Sequence, residues 1–132
     1  MDRPREVALK GSRKPSQSMA TALGFDEAAQ WIAAYIHFGE KDDPEATVLD
    51  VLQWLKPPMH GKAYDGMNHI GINRICMAVD DVDKMYKDLK AKGVKFLSPP
   101  QDIRINLPGA KPGRICVCKD PDGVFIEFSE RE

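Results

Sequence analysis

The clearest pattern of hydrophobic and polar positions runs from Arg74 to Phe128. It begins with an apolar run, residues 74–79, which stops at the acidic pair Asp80-Asp81. Apolar side chains then recur at the spacing of one helix face, at Val82, Met85, Tyr86 and Leu89. Aspartate is a favoured N-cap, and Gly93 stands where a helix often ends in a left-handed residue. The pattern predicts a strand followed by a helix between Asp80 or Asp81 and Gly93.

Three more strands are predicted after this helix. Residues 94–97 are mostly apolar, and a long loop rich in proline and glycine, residues 98–113, follows them. Residues 114–119 and 124–128 are largely apolar runs separated by Asp-Pro-Asp-Gly, a typical turn sequence. The order strand, helix, strand, strand, strand is a βαβββ unit, and it predicts an α+β domain.

The same stretch resembles a known superfamily. RICMAVDDVDKMYKDLKAKGVKF followed by GRICVCKDPDGVFIEF is similar to the second half of a vicinal-oxygen-chelate protein. That superfamily includes glyoxalases, bleomycin-resistance proteins, methylmalonyl-CoA epimerases and extradiol dioxygenases. The clear resemblance covers residues 70–130, and a weaker one extends back to about residue 31. It implies a fold built from two βαβββ modules related by a pseudo-twofold axis.

The N-terminal half has weaker patterns. Residues 1–22 are polar and contain Pro and Ser, so we expect them to be loosely ordered apart from a short strand at residues 7–9. Residues 23–30 are predicted to form a short helix capped by Asp26. Aromatic and β-branched residues then predict a strand at 31–38, and a second strand is predicted at 47–54.

These two strands echo the C-terminal hairpin. Asp50 lies inside an apolar run, as Glu127 does near the C-terminus. Against the two modules that the resemblance implies, the first strand and helix of module one have no match. The predicted organisation is therefore one domain over residues 23–132, with a partial two-strand module, a linker and a complete module. Their bounds are 23–55, 56–69 and 70–130, and the chain is expected to be a truncated form.

Composition limits the classes of partner that are expected. The chain has 132 residues, 42% of them hydrophobic, and a formal net charge of −1, so neither nucleic acid nor a membrane is an expected partner. Its three cysteines are an odd number, which favours thiols in a reducing compartment. We expect a cytoplasmic protein.

Alternation along the strands selects candidate site residues. On residues 74–79, Arg74, Cys76 and Ala78 share a face, and the bulkier apolar residues between them are expected to pack on the helix. By the same rule Phe125 and Glu127 face a concave surface. In module one, Asp50 and Trp54 share a face. A carboxylate among apolar neighbours needs a cation, hydrogen-bond donors or a raised pKa, so Asp50 and Glu127 indicate a site.

The resemblance implies a metal site in some members. They hold Zn²⁺, Ni²⁺, Mn²⁺ or iron with four ligands, one His or Gln and one Glu from each module. Residue by residue, Glu127 and Asp50 match the two carboxylate positions, and Arg74 stands at the first-strand position of module two. A guanidinium has no free lone pair and cannot be a ligand. A site for a divalent-metal cofactor, with Asp50 and Glu127 as ligands, is therefore expected to be degenerate, because only two of the four ligands are present.

Three interpretations of Arg74 remain open. It could pair with Glu127, or with Asp50, as a structural contact; it could bind an anionic ligand; or another chain could complete a metal site. Cys116 and Cys118 share a face, expected to be that of Cys76, where they either pack as small side chains or form a thiolate metal site, which would need four ligands. His69 is either a loop residue or a base or ligand that reaches the concave surface. Residues 98–113 are either a lid or disorder between short strand segments.

Two functions follow from the resemblance. One is a binding protein whose concave site holds a small molecule, with Arg74, Trp54 and Phe125 as the substrate-binding residues. The other is a metal-dependent lyase, isomerase or epimerase in which Glu127 moves a proton as the catalytic residue. A third possibility is a remnant that only folds or stabilises a partner. The uncovered edge of the incomplete module also predicts a homodimer.

Overall fold

The computed structural model describes residues 7–13, 17–26, 28–38, 43–104, 108–109 and 111–131. Its elements, in chain order, are β1 (Val7–Arg13), α1 (Gln17–Ala22), β2 (Gln30–Phe38), β3 (Thr47–Lys56), β4 (Arg74–Ala78), α2 (Val82–Ala91), β5 (Gln101–Ile103), β6 (Gly113–Lys119) and β7 (Phe125–Arg131). The predicted α+β class is confirmed. The chain divides into two compact units, residues 2–61 and 62–132, with the boundary inside the predicted linker. The single domain over residues 23–132 stays a prediction.

The second unit is the predicted βαβββ module. Its sheet has the order β4-β7-β6-β5, in which β4 runs parallel to β7 and the other pairs are antiparallel. Helix α2 covers one face, because its apolar positions pack on alternate residues of β4, β6 and β7. The buried residues of this core are Val82, Cys116, Cys118 and Phe128. Residues at the intervening positions lie on the other side of the sheet, which we call the far face.

Both ends of α2 follow from local sequence. The carboxylate of Asp81, rather than that of Asp80, caps the helix by accepting a 2.8 Å hydrogen bond from the Lys84 backbone N–H. The N–H of Val82 donates to Glu130 Oε2 at 2.8 Å, so β7 also holds the helix start. At the other end Gly93 has a φ of 90°, as predicted for the residue that ends the helix.

The structure corrects the prediction of a strand at residues 94–97. Phe96 forms only an isolated bridge with Cys118, and the regular third strand is β5, within the loop that was the lid candidate. Phe96 instead packs its ring on Tyr86 of α2, at 4.8 Å between ring centroids. The apolar run thus serves the core. Residues 105–107 and 110 of the same loop lie outside the described residues.

The first unit contains three strands, as predicted, but the first of them is longer than the sequence indicated. Its antiparallel sheet has the order β1-β2-β3, and β1 extends well past the predicted residues 7–9. The polar second half of β1 gives little strand signal, and backbone pairing with β2 decides its structure. Residues 1–6 and 14–16, part of the segment expected to be loosely ordered, lie outside the described residues.

The helix predicted at 23–30 is wrong. The helical turn lies earlier, in α1, and Asp26 accepts a 2.8 Å hydrogen bond from the Ala28 N–H within a turn. Asp26 therefore stabilises a local turn instead of a helix start. Ala20 of α1 packs with Ala29 and Trp31, and these three form the buried core of this unit.

The two sheets differ at one edge. In the second unit β7, the last strand of its hairpin, has β6 on one side and β4 on the other. In the first unit β3 holds the same place in its hairpin but pairs only with β2 among the residues that the structure describes. No described helix is long and apolar enough to cross a membrane.

Candidate ligand site

Parallel pairing of β4 with β7 builds the candidate site. The register places Arg74 beside Phe125 and Cys76 beside Glu127. Since Ile126 and Phe128 pack against the core under α2, Glu127 between them must project from the far face. The sheet thereby brings two residues of β4 and two of β7 together on one surface.

Glu127 is the centre of this cluster. Its Oε2 lies 2.9 Å from Nε of Arg74, and the thiol of Cys76 donates to Oε1 at 3.3 Å. The Glu127 side chain is only 14% exposed. A carboxylate that has lost most of its water needs such partners, and the guanidinium supplies the compensating charge. Of the partners that the sequence left open for Arg74, the structure shows Glu127.

Arg74 keeps part of its binding capacity. Its side chain is 47% exposed, and the contact to Glu127 uses Nε. The two terminal nitrogens of a guanidinium carry further N–H donors in a planar fork that suits carboxylate and phosphate oxygens. Glu127 thus fixes the guanidinium from one side, and the rest of the group can bind an anion.

Phe125 takes a different position from the one expected of an accessible ligand contact. It is 3% exposed, and the Lys119 ammonium lies 4.5 Å from the centre of its ring. The ring is a buried support beside Arg74, and the cation above it adds a second positive charge near this end of the far face. Sequence reasoning missed Lys119, although its pairing with Phe125 in the hairpin follows from the turn position.

Trp54 and Asp50 belong to the first unit. Trp54 packs within its own unit against Trp31 and Phe25, at 4.8 Å and 4.3 Å between ring centroids. Asp50 is exposed on β3, where it pairs in register with Tyr35. Their assignment to substrate and metal binding stays a prediction, and aromatic packing explains Trp54 without a ligand.

The residues of the cluster do not fit a divalent metal. Arg74 stands where the resemblance implies a first-strand ligand, and a guanidinium there repels a cation. Both oxygens of Glu127 are in contact with other groups. Within the described part of the chain, no three His, Cys, Asp or Glu side chains lie close enough together to hold a metal ion.

The cysteines correct one prediction. Cys116 and Cys118 share a face, but it is the α2 side of the sheet, where both are buried, while Cys76 lies on the far face. Register explains this, since Cys116 pairs with Phe128 and Cys76 pairs with Glu127. Burial, followed by the neighbouring Cys118, raises the pKa of the Cys116 thiol to about 11, so it stays protonated at neutral pH.

His69 matches the loop interpretation. Its ring stacks on Tyr64 with 3.9 Å between centroids, and its Nδ1 lies 2.8 Å from the carbonyl oxygen of Ile70. These contacts hold it within the loop that precedes β4.

The sequence analysis also did not identify the structural role of Arg114. Arg114 on the α2 side binds Asp83 through Nε and a terminal nitrogen, at 2.8 and 3.1 Å, and contacts Asp102 at 2.6 Å. The hydrogen bonds from Arg114 lower the pKa of Asp83. This arginine joins α2, β5 and β6, whereas Arg74 projects from the opposite side of the same sheet.

Comparison with known proteins agrees with this architecture. The family model of the glyoxalase/bleomycin resistance protein/dioxygenase superfamily matches residues 16–128. The chain belongs to this superfamily. Within it, the chain is similar to the crystal structure of a glyoxalase family protein from Bacillus cereus, with a TM-score of 0.71 and 17% identity. That similarity covers 95% of this chain and 78% of the other, and at this identity it concerns the fold. A search of curated proteins found no match.

Proposed function

We propose that this superfamily member binds a small anionic molecule through Arg74 on the far face, without a catalytic metal. The observation that carries the proposal is the Arg74–Glu127 ion pair, at 2.9 Å, with a carboxylate that is 14% exposed and a half-exposed guanidinium. The carboxylate limits the freedom of the arginine, so less conformational entropy is lost when an anion binds. Glu127 has a positioning role in this proposal.

The alternative is a metal-dependent lyase, isomerase or epimerase. It is favoured by the placement of Glu127, mid-strand on β7, at the position where the resemblance implies a carboxylate ligand. For that chemistry Glu127 would have to leave Arg74 and Cys76 and take a cation and a substrate proton instead. The contacts it makes favour the binding function.

Two further parts of the proposal concern partners and location. We propose that the chain forms a homodimer, because β3 offers an edge that has no strand neighbour among the described residues. We also propose a cytoplasmic location, because the three cysteines form no disulfide bond with each other.

The binding function is tested by following the Nε–Hε signal of Arg74 in ¹⁵N-labelled protein. Acetate, oxalate and inorganic phosphate are the probes, added in separate titrations at constant ionic strength. We expect at least one of them to shift the signal saturably, because the terminal nitrogens of Arg74 bind the anion directly.

Two variants serve as site test and control. Arg74→Gln should abolish the saturable shifts of the surrounding backbone signals, whereas Arg104→Gln removes an exposed arginine elsewhere and should leave them unchanged. The proposal is contradicted if none of the three anions moves the Arg74 signal, or if the Arg74→Gln protein binds them equally well.

A further inference from the structure

The outer edge of β3 has the composition of an interaction surface. Within the described residues, β3 is ten residues long and hydrogen-bonds to β2 alone. Val48, Val51 and Leu55 are 43%, 45% and 42% exposed. Natural sheets protect such edges with charges, prolines, bulges or short strands, and an unprotected edge pairs with another strand.

The two charged residues of β3 indicate which partner strand fits this edge. The strand carries one acidic residue, Asp50, and one basic residue, Lys56, and both are exposed. They lie at equal distances in sequence from Gln53. A second copy of β3 placed antiparallel about a twofold axis at Gln53 therefore sets Asp50 opposite Lys56 of the partner, and Lys56 opposite the partner's Asp50.

In the same register the apolar side chains of β3 also lie opposite apolar partners. Val51 faces Leu55 of the partner subunit on one face, and Leu52 faces Trp54 of the partner subunit on the other. Cross-strand pairs of opposite charge and of apolar side chains are the ones that stabilise antiparallel sheets. The pairing ends at Lys56 because Pro57 and Pro58, which follow it, cannot donate backbone hydrogen bonds.

Neighbouring registers are less favourable. Moving the partner by two residues in one direction places Asp50 opposite Trp54, and in the other direction places Lys56 opposite Leu52. A register centred on Asp50 or on Lys56 opposes like charges, which destabilises a strand pair. Registers displaced by one residue set opposing side chains on different faces of the sheet.

We propose that two copies of this chain dimerise through the edges of β3, antiparallel and centred on Gln53, and so form one continuous six-stranded sheet. The inference rests on the proposed self-association and is independent of the ligand site. The interface is isologous, so each ion pair occurs twice. In the second unit the outer edge of the hairpin is occupied by β4, and in the proposed dimer the partner's β3 takes the corresponding place in the first unit.

Charge exchange tests both the surface and its register. Sedimentation equilibrium is measured for the wild type, Asp50→Lys, Lys56→Asp and the double variant with both changes. Each single variant opposes like charges twice per dimer and should raise the dimer dissociation constant by about tenfold. The double variant restores both ion pairs in reversed order and should return to the wild-type constant. Glu45→Lys is the control, since it makes the same charge change at an exposed turn.

Cross-linking gives a second readout that does not depend on stability. In a Cys76→Ser background, Gln53→Cys places two thiols at the axis and should form a dimer disulfide under mild oxidation. Thr47→Cys, on β3 outside the paired segment, should not. A wild type that remains monomeric at high micromolar concentration overturns the proposal. So does a double variant as weak as the single variants, or equal cross-linking at positions 47 and 53.

Anion titration of the Lys56→Asp protein keeps this proposal separate from the binding function. Binding at Arg74 by a monomeric variant means that the two stand independently. Loss of dimerisation with unchanged anion binding supports the interface, and dimerisation without anion binding in the wild type contradicts only the binding function.

Discussion

At the residue scale, the site depends on which face of the sheet each side chain occupies. Glu127 lies on the far face beside Arg74 and Cys76, whereas the next residue, Phe128, lies on the opposite face in the core under α2. Alternation along β4 and β7 could be read from the sequence, and it placed Arg74 and Glu127 on one face, where the structure shows them in contact. The face of Cys116 and Cys118 was assigned wrongly because it depends on the register of the β6–β7 hairpin, which pairs them with Phe128 and Ile126.

The two faces predict different thiol reactivity. Cys76 is exposed, whereas Cys116 and Cys118 are 1% and 5% exposed, and burial raises the pKa of both. A thiol must be accessible and ionised to react. Because of this difference in exposure, Ellman's reagent at pH 8 should modify Cys76 in a first, more rapid phase, and the other two cysteines only in denaturant.

Cys76→Ser is the control for this assignment and should remove the rapid phase. Rapid modification of all three thiols in the native protein would contradict the placement of Cys116 and Cys118 in the core.

At the element scale, α2 is the part of the fold most fully specified by local sequence. The predicted N-terminal cap, apolar face and C-terminal glycine all recur in the structure, since each depends on residues within one or two turns. Elements that depend on distant pairing were predicted less well. The second half of β1 and the whole of β5 carry weak strand patterns and exist because of their neighbours β2 and β6.

Substitution of Gly93 tests the end of α2. An added Cβ at Gly93 would meet no atom within 4 Å, so any cost arises from the backbone, whose φ is 90°. A residue with a Cβ is strained in that conformation, and Gly93→Ala should lower the free energy of unfolding by about 1 kcal/mol. Chemical denaturation measures this value.

Two variants separate backbone strain from other effects. Gly93→Asn should cost less, because asparagine tolerates the left-handed region better. Lys92→Ala, at a neighbouring residue with a φ of −85°, should have a small effect. An Asn variant as unstable as the Ala variant would argue against the strain explanation.

At the scale of the whole molecule, the sequence predicted the family and the complete second module but underestimated the first. Residues 74–128 predict their own fold because strand, helix and turn signals follow one another in order. The sheet of the first unit depends on β1, which the sequence pattern did not reveal as a full strand. For the site, the sequence identified Arg74 and Glu127 together, and it missed Lys119 above Phe125.

We propose that Arg74 makes the far face of the second unit a site for an anion and not for a metal. Calorimetric titration with Zn²⁺ tests it most directly, on the wild type, Arg74→His and Glu127→Ala. The wild type should show no tight stoichiometric binding, because the guanidinium pairs with Glu127 and repels a cation. Arg74→His should bind more tightly than the wild type only if Asp50 comes near Glu127. Tight one-to-one binding by the wild type that is lost in Glu127→Ala would contradict the account.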